Sequence, residues 1–209
     1  MPDTGTLAVF AAAALALIVV PGPAVLYIVS QSIDRGRLAG VVSALGVGVG
    51  GLVHVTAAAV GLSSLLVSSA TAFAFVKYAG AAYLIGLGLY TLLAGRSEPE
   101  VAIPRERKLS RRFWQGVVVN VLNPKTALFF FAFLPQFVDP DRGSAALQIG
   151  VLGLVFVGLA VASDSLWALV AGTGSARLRG SRRFLAVQRY VSGSVFVGLG
   201  ALTAVAKRH

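Results

Sequence analysis

The sequence predicts an all-α integral membrane protein: six transmembrane helices forming two inverted three-helix repeats, with helices 1 and 4 interrupted by proline. Three observations carry this expectation. Apolar residues make up 56% of the 209-residue chain and charged residues 12%, where a soluble domain carries about 25% charge. The charges are clustered, so long stretches between them hold at most one ionisable group. Six such stretches reach the roughly 20 apolar residues that a bilayer crossing requires.

Residues 5–30 form the first span, with no charge between Asp3 and Asp34. A cleaved leader is not expected there: no basic region precedes the apolar run, and apolar sequence resumes after Pro21-Gly22-Pro23 through Ile28. Residues 38–66 form the second span, with His54 inside, and residues 71–94 the third, with Lys77 near its start. Residues 113–134 form the fourth, interrupted by Asn123-Pro124-Lys125. The fifth, 145–171, holds Asp164, and the sixth, 186–206, has Arg189 near its start. The whole chain, 1–209, reads as one transmembrane domain: repeat 1 over about 5–94, a linker over about 95–112, and repeat 2 over about 113–206.

The repeat is read from echoes between the halves. Pro21-Gly22-Pro23 breaks span 1 and Asn123-Pro124 breaks span 4. Span 3 opens Lys77-Tyr78-Ala79-Gly80, and span 6 opens Arg189-Tyr190-Val191-Ser192-Gly193. Three spans per unit is an odd number, so the second unit must be inverted, a recurrent plan among secondary transporters.

Orientation follows from lysine and arginine in the loops. Arg35 and Arg37, then Arg96, Arg105, Arg107, Lys108, Arg111 and Arg112, then Arg177, Arg179, Arg182 and Arg183 share one side if there are six spans. That side is cytoplasmic, which places both termini outside the cytoplasm. The net charge of +10 is then expected to meet anionic phospholipids at these loops, with no nucleic-acid partner. Cysteine is absent, which excludes disulfides, thiolate-held metals and thiol redox chemistry. No cluster of metal-ligating side chains lies within a span, no phosphate-binding glycine loop is present, and no nucleophile accompanies His54 or Asp164. No metal, cofactor or catalytic residue is expected, and the chain does not read as an enzyme.

The expected site is built from the breaks. Pro21 and Pro23 cannot donate hydrogen bonds and crowd the carbonyls of Leu17 and Val19, while Gly22 leaves the backbone bare. Freed carbonyls need partners because hydrocarbon offers none. They can take an ammonium group, an ion or water, or the break can be a mere structural kink. Pro124 likewise frees the carbonyl of Asn120, and the amides of Asn120 and Asn123 both donate and accept. Lys125 near mid-span costs about 2.5–3.5 kcal/mol to insert, which calls for a partner or a wet cavity. It lies where the second helix segment begins, where exposed N–H groups favour an anion such as a carboxylate. Asp164, the acidic residue deep in a span, is a mate for Lys125 or Lys77 and a candidate proton carrier; the bland reading is a static ion pair. Lys77 can snorkel to the headgroups. His54 reads as a proton relay or a packed histidine, and Tyr83 as a cavity-lining or interfacial residue. Gly46 and Gly50 on one helical face allow close helix packing.

These residues, in this order, resemble the LysE/RhtB family of amino-acid exporters, LysE-type translocators. The matching pieces begin with Pro21-Gly22-Pro23, Gly36-Arg37, Gly40 and Gly46. They continue with Lys77-Tyr78-Ala79-Gly80-Ala81-Ala82-Tyr83-Leu84 and Gly86. Next come Phe113, Gly116, Asn120, Asn123-Pro124-Lys125, Phe129-Phe130 and Phe133-Leu134-Pro135-Gln136-Phe137. Asp164, Leu166-Trp167, Ser192-Gly193 and Gly198 complete the set. The resemblance implies a multi-pass protein of the bacterial inner membrane that exports amino acids or related small zwitterions, driven by protons entering in antiport. The substrate would meet Pro21, Gly22, Pro23, Asn120, Asn123, Pro124, Lys125 and Asp164, with Asp164 coupling the proton. A homodimer is left open. A passive channel or carrier for another solute, and a non-transporting membrane scaffold, are the competing readings.

Overall fold

The computed structural model describes residues 2–68, 70–93 and 108–173, together with isolated positions between 190 and 205; side chains within 62–93 are described in part. Among the described residues every regular element is helical. Helix α1 spans Thr4–Val19 and α2 spans Pro23–Arg35, and their axes bend by 54°. Pro23 stands in the first turn of α2, where its missing N–H costs no intrahelical bond. Gly36, at φ +90°, turns the chain into α3, Arg37–Ser68. That backbone conformation disfavours a side chain. Helix α4 spans Ala70–Leu93 and α5 spans Leu109–Val121. Helix α6, Pro124–Leu128, runs on through a π turn at Phe129–Phe133 and a 3₁₀ turn at Leu134–Phe137. This second broken pair bends by 49°. A short 3₁₀ turn, Pro140–Arg142, leads to α7, Ala145–Thr173.

Two helices among the described residues are long and apolar enough to cross a membrane, or up to four if each bent pair is one span. They are α3 and α7, the second and fifth expected spans; the bent pairs fall on the first and fourth, and α4 falls on the third. The expected sixth span, with Arg189, and residues 95–107 of the linker lie outside the described residues, apart from isolated positions.

Helix α3 is the hub, packed against α7, α5 and α2. Its contact with α5 is backbone against backbone. A Cβ on Gly46 would collide with the carbonyl oxygen of Phe113, and one on Gly50 would sit 2.6 Å from that of Val117. From the other side, a Cβ on Gly116 would sit 2.5 Å from the carbonyl oxygen of Ser43. Small residues here let two backbones approach as membrane helices often do. Outward-facing Val9, Leu38, Val60, Phe75, Leu154 and Leu166 leave an apolar surface suited to lipid.

Polar contacts tie one end of the bundle. The Asp3 carboxylate caps α1 by accepting from the Thr6 N–H at 2.8 Å, and its other oxygen takes Arg142 Nη1 at 2.6 Å. Arg142 also reaches Asp139 at 3.1 Å, and the buried Gln148 amide donates to the Asp139 carbonyl at 2.7 Å. The start of α1 and the connection into α7 therefore share one end.

Two outcomes follow from this packing. Gly46→Leu should abolish the folded, monodisperse protein, whereas Gly61→Ala, with nothing among the described residues within 4 Å of the added carbon, should leave its melting temperature within a few degrees; fluorescence-detected chromatography after heating reads both. The Thr6 N–H, with a smaller contribution from Arg142, holds the Asp3 carboxyl below the usual carboxylate range. A depressed native pKa stabilises above the unfolded value and is lost as pH falls through the native one. Asp3→Asn should therefore lower the melting temperature at neutral pH and make no difference in acid.

Candidate functional site

The two helix breaks meet. The helical carbonyls at the end of α1 lose their usual donors at Pro21 and Pro23, and Val20, just past its last turn, carries its carbonyl at the break. The ammonium of Lys125, from the first turn of α6, donates to that Val20 carbonyl. The lysine stem crosses over Gly22: a Cβ on Gly22 would lie 3.0 Å from Lys125 Cδ and 3.5 Å from Nζ. A side chain at this position would press on the lysine stem and shift it. Pro21 and Gly22 are half-buried and Pro23 is exposed.

The second break is held by amides. Asn123 caps α6 by accepting the Lys125 N–H at 3.1 Å, and its amide donates to Asn120 Oδ1 at 3.3 Å. Thr126 donates its hydroxyl to the same oxygen at 2.9 Å, and Asn120 Nδ2 donates to the Val47 carbonyl of α3 at 2.8 Å. Pro124 cannot reach back to the Asn120 carbonyl, and two donors replace it: the Asn123 N–H at 3.0 Å and His54 Nε2 at 2.9 Å. A carbonyl only accepts, so Nε2 carries the proton. His54 also stacks on Phe130, with ring centroids 6.1 Å apart. The structure thus places His54 as a bridge from α3 to the break. The exposed Pro124 ring sets the first turn of α6.

Asp164 comes in from α7. It is 5% exposed and Lys125 is 8% exposed, and the opposite charges lie close enough to act on one another. Lys125 is one of the two mates expected for Asp164 and feels its charge; the side chain of the other, Lys77, and that of Tyr83, both on α4, lie outside the described residues. Toward the start of α1 the site is walled by packed rings. Phe129 lies 4.6 Å from Phe156 and 5.7 Å from Phe10, and Phe10 lies 5.3 Å from Phe137, centroid to centroid. The first three are fully or almost fully buried, so this end is dry. A buried opposite-charge pair beside bare backbone can hold a small zwitterion by exchanging partners with it.

Sequence reasoning missed Thr126, the burial of Arg112, and Gln31. Thr126 extends the polar run Asn120, Asn123, Lys125 and was readable from that spacing. Arg112 counted as a loop cation, yet it stands on α5 and is 6% exposed. Its guanidinium donates to Gln31 Oε1 from α2, and Tyr27 donates its hydroxyl to the Arg112 carbonyl at 3.0 Å. Nothing in the run Arg111-Arg112 told the buried residue from the exposed one.

Comparison with known proteins gives a consistent picture. Residues 15–207 match the family described as LysE type translocator. The chain is 31% identical over 187 residues to a homoserine/homoserine lactone efflux protein of Salmonella typhimurium, covering 90% of each chain. It is 29% identical over 203 residues to a leucine efflux protein of Salmonella choleraesuis, covering 91% of each. It is also 32% identical over 198 residues to an uncharacterized membrane protein of Pseudomonas aeruginosa, covering 91% of this chain and 90% of that one. No solved structure matches.

Asn120→Leu should destabilise the protein strongly, since each buried group left unpaired costs roughly 1–3 kcal/mol. His54→Gln, which can still donate to the Asn120 carbonyl, should retain more stability than His54→Phe. Thermal unfolding in one detergent ranks the three.

Proposed function

The chain belongs to the LysE type translocator family, and from that premise we propose that it exports an amino acid or related small zwitterion by proton-coupled alternating access. The observation that carries the proposal is the Lys125 ammonium, from the second helix break, seated on the Val20 carbonyl of the first. A buried cation thus sits on a backbone carbonyl from the other break, beside the amides of Asn120 and Asn123 and under the influence of the Asp164 charge. A substrate carboxylate takes Lys125, and the substrate ammonium takes the carbonyl and the charge of Asp164 that Lys125 gives up. Protonation of Asp164 from outside, and proton release inside, couples the cycle. An inward proton gains about 2.3 kcal/mol per 100 mV, enough for about a 50-fold gradient of a neutral zwitterion.

The architecture proposed is six spans in two inverted repeats. The comparable bends of the two broken pairs, 54° and 49°, support it. The basic loops face the cytoplasm of a bacterium, and both termini, with the tied end around Asp3 and Arg142, face outward. The aromatic wall then closes the outer side of the site, and anionic lipids meet the basic loops.

Proteoliposomes loaded with single radiolabelled amino acids, homoserine and leucine first, test this reading. Efflux should rise several-fold when the outside is made acidic. Lys125→Ala should cut it by about tenfold or more, as loss of a charge-assisted contact does. Asp164→Asn should leave flux that no longer responds to the proton gradient. Efflux indifferent to solute and gradient means a channel. A Lys125→Ala variant that fails to assemble while the wild type moves no solute means a scaffold.

A further inference from the structure

The buried pair Arg112–Gln31 is the strongest polar feature that the exchange at the breaks does not use. Both side chains are buried, Gln31 at 1% exposure. The partner of the Arg112 guanidinium is an amide oxygen, not a carboxylate. Gln31 Nε2 is sealed from solvent and has no hydrogen-bond partner among the described residues. Reversing the amide does not help, because it would set its NH₂ against the guanidinium, donor against donor. Gln31 Nε2 is thus a buried donor lacking an acceptor beside a buried cation, and such a group calls for an explanation. A guanidinium presents a fork that matches two carboxylate oxygens.

The position is informative. Arg112 precedes Asn120 by eight residues on α5, about 12 Å of helix rise, toward the end where Arg35, Arg37 and Lys108 are exposed. Gln31 lies in the last turns of α2, on the same side of the Pro21-Gly22-Pro23 break. We propose that Arg112 and Gln31 form a first carboxylate station on the cytoplasmic path to the helix breaks, occupied by the substrate carboxylate when α2 and α5 part at that end. This rests on the exporter reading given above. In the closed arrangement seen here, Gln31 Oε1 stands in for one carboxylate oxygen. Tyr27, through its bond to the Arg112 backbone, ties α2 to α5 beside it. An anionic lipid headgroup offers similar oxyanion chemistry, but it meets the exposed cations before a sealed pair.

The test uses purified full-length protein in nanodiscs with leucine, its carboxylate-free analogue leucinamide, homoserine and homoserine lactone as probes. The free amino acids should raise the wild-type melting temperature, and the amide and lactone should not. Arg112→Gln should shrink that difference, leaving only the part that Lys125 supplies at the breaks. Gln31→Glu supplies the missing carboxylate from within, so it should melt higher without ligand, respond less to leucine and raise the cytoplasmic-side KM. The KM rise in Arg112→Gln and Gln31→Glu should be on the order of tenfold, as for a lost charge-assisted contact, with kcat less affected. Arg112→Lys should restore part of the carboxylate preference.

Equal response to acid and amide in the wild type, no response to any probe, or an intact preference in Arg112→Gln overturns the station. A melting temperature that follows phosphatidylglycerol content through Arg112, and not leucine, assigns the pair to lipid and overturns it too. Wild-type flux with unchanged KM in both variants overturns the station alone. Absence of flux for every amino acid, with the leucine response intact, overturns the exporter reading alone.

Discussion

A helix interrupted within hydrocarbon must find protein partners for its loose backbone groups, and the rest of this structure is arranged around that demand. Water is not there to serve them, and each group left bare costs several kcal/mol. The chain meets the demand by letting each break complete the other. Lys125 takes the carbonyl of Val20, His54 takes the carbonyl of Asn120, and Asn123 takes the N–H of Lys125. No partner in this set comes from a regular helix ladder. Every bond is therefore one that a substrate or a conformational change can replace without unwinding a helix.

Glycine in α3 makes the arrangement reachable. Because α5 lies against bare backbone at Gly46 and Gly50, Asn120 comes close enough to donate to Val47 and to receive His54. A bulkier contact would push α5 away and strand the same amides. The α3–α5 seam and the polar site are thus one construction, with small residues setting the distance and amides fixing the register. On the far side the phenylalanine rings fill the space between α1, α7 and the π turn that follows α6. Rings exclude water without forming directional bonds, which would suit a wall that opens under the exporter reading.

Much of this was legible in the sequence, for a definite reason. Proline and buried charge are signals whose cost is local: Pro21, Pro23, Pro124, Lys125 and Asp164 each announce a problem at their own position. What was not legible is how the problems solve one another. Leu17 and Val19 were the carbonyls expected to be freed, yet Val20, at the end of α1, is the one that Lys125 reaches from 105 residues away. His54 had no sequence neighbour to define it, since its partner lies 66 residues away. Arg112 shows the limit most sharply. Arg111 and Arg112 have the same chemistry and adjacent numbers, and only the face that α5 turns toward α2 makes one exposed and the other buried.

The seat of Lys125 also bears on how a zwitterion would be distinguished from other solutes under the exporter reading. The ammonium of Lys125 already occupies the Val20 carbonyl and already feels the charge of Asp164. A free cation would have to evict it and leave Lys125 buried without a partner. A free anion could hold Lys125 only by drawing it off that carbonyl and leaving the carbonyl and Asp164 bare. Truncating one side of a buried pair in this way costs on the order of 3–5 kcal/mol. A zwitterion with its two charges a few ångströms apart replaces both halves of the exchange at once, so no buried group is left unsatisfied at the end. Selectivity for amino acids would then come less from a shaped pocket than from the chain's own lysine, a tethered ammonium that only a solute carrying both charges can relieve.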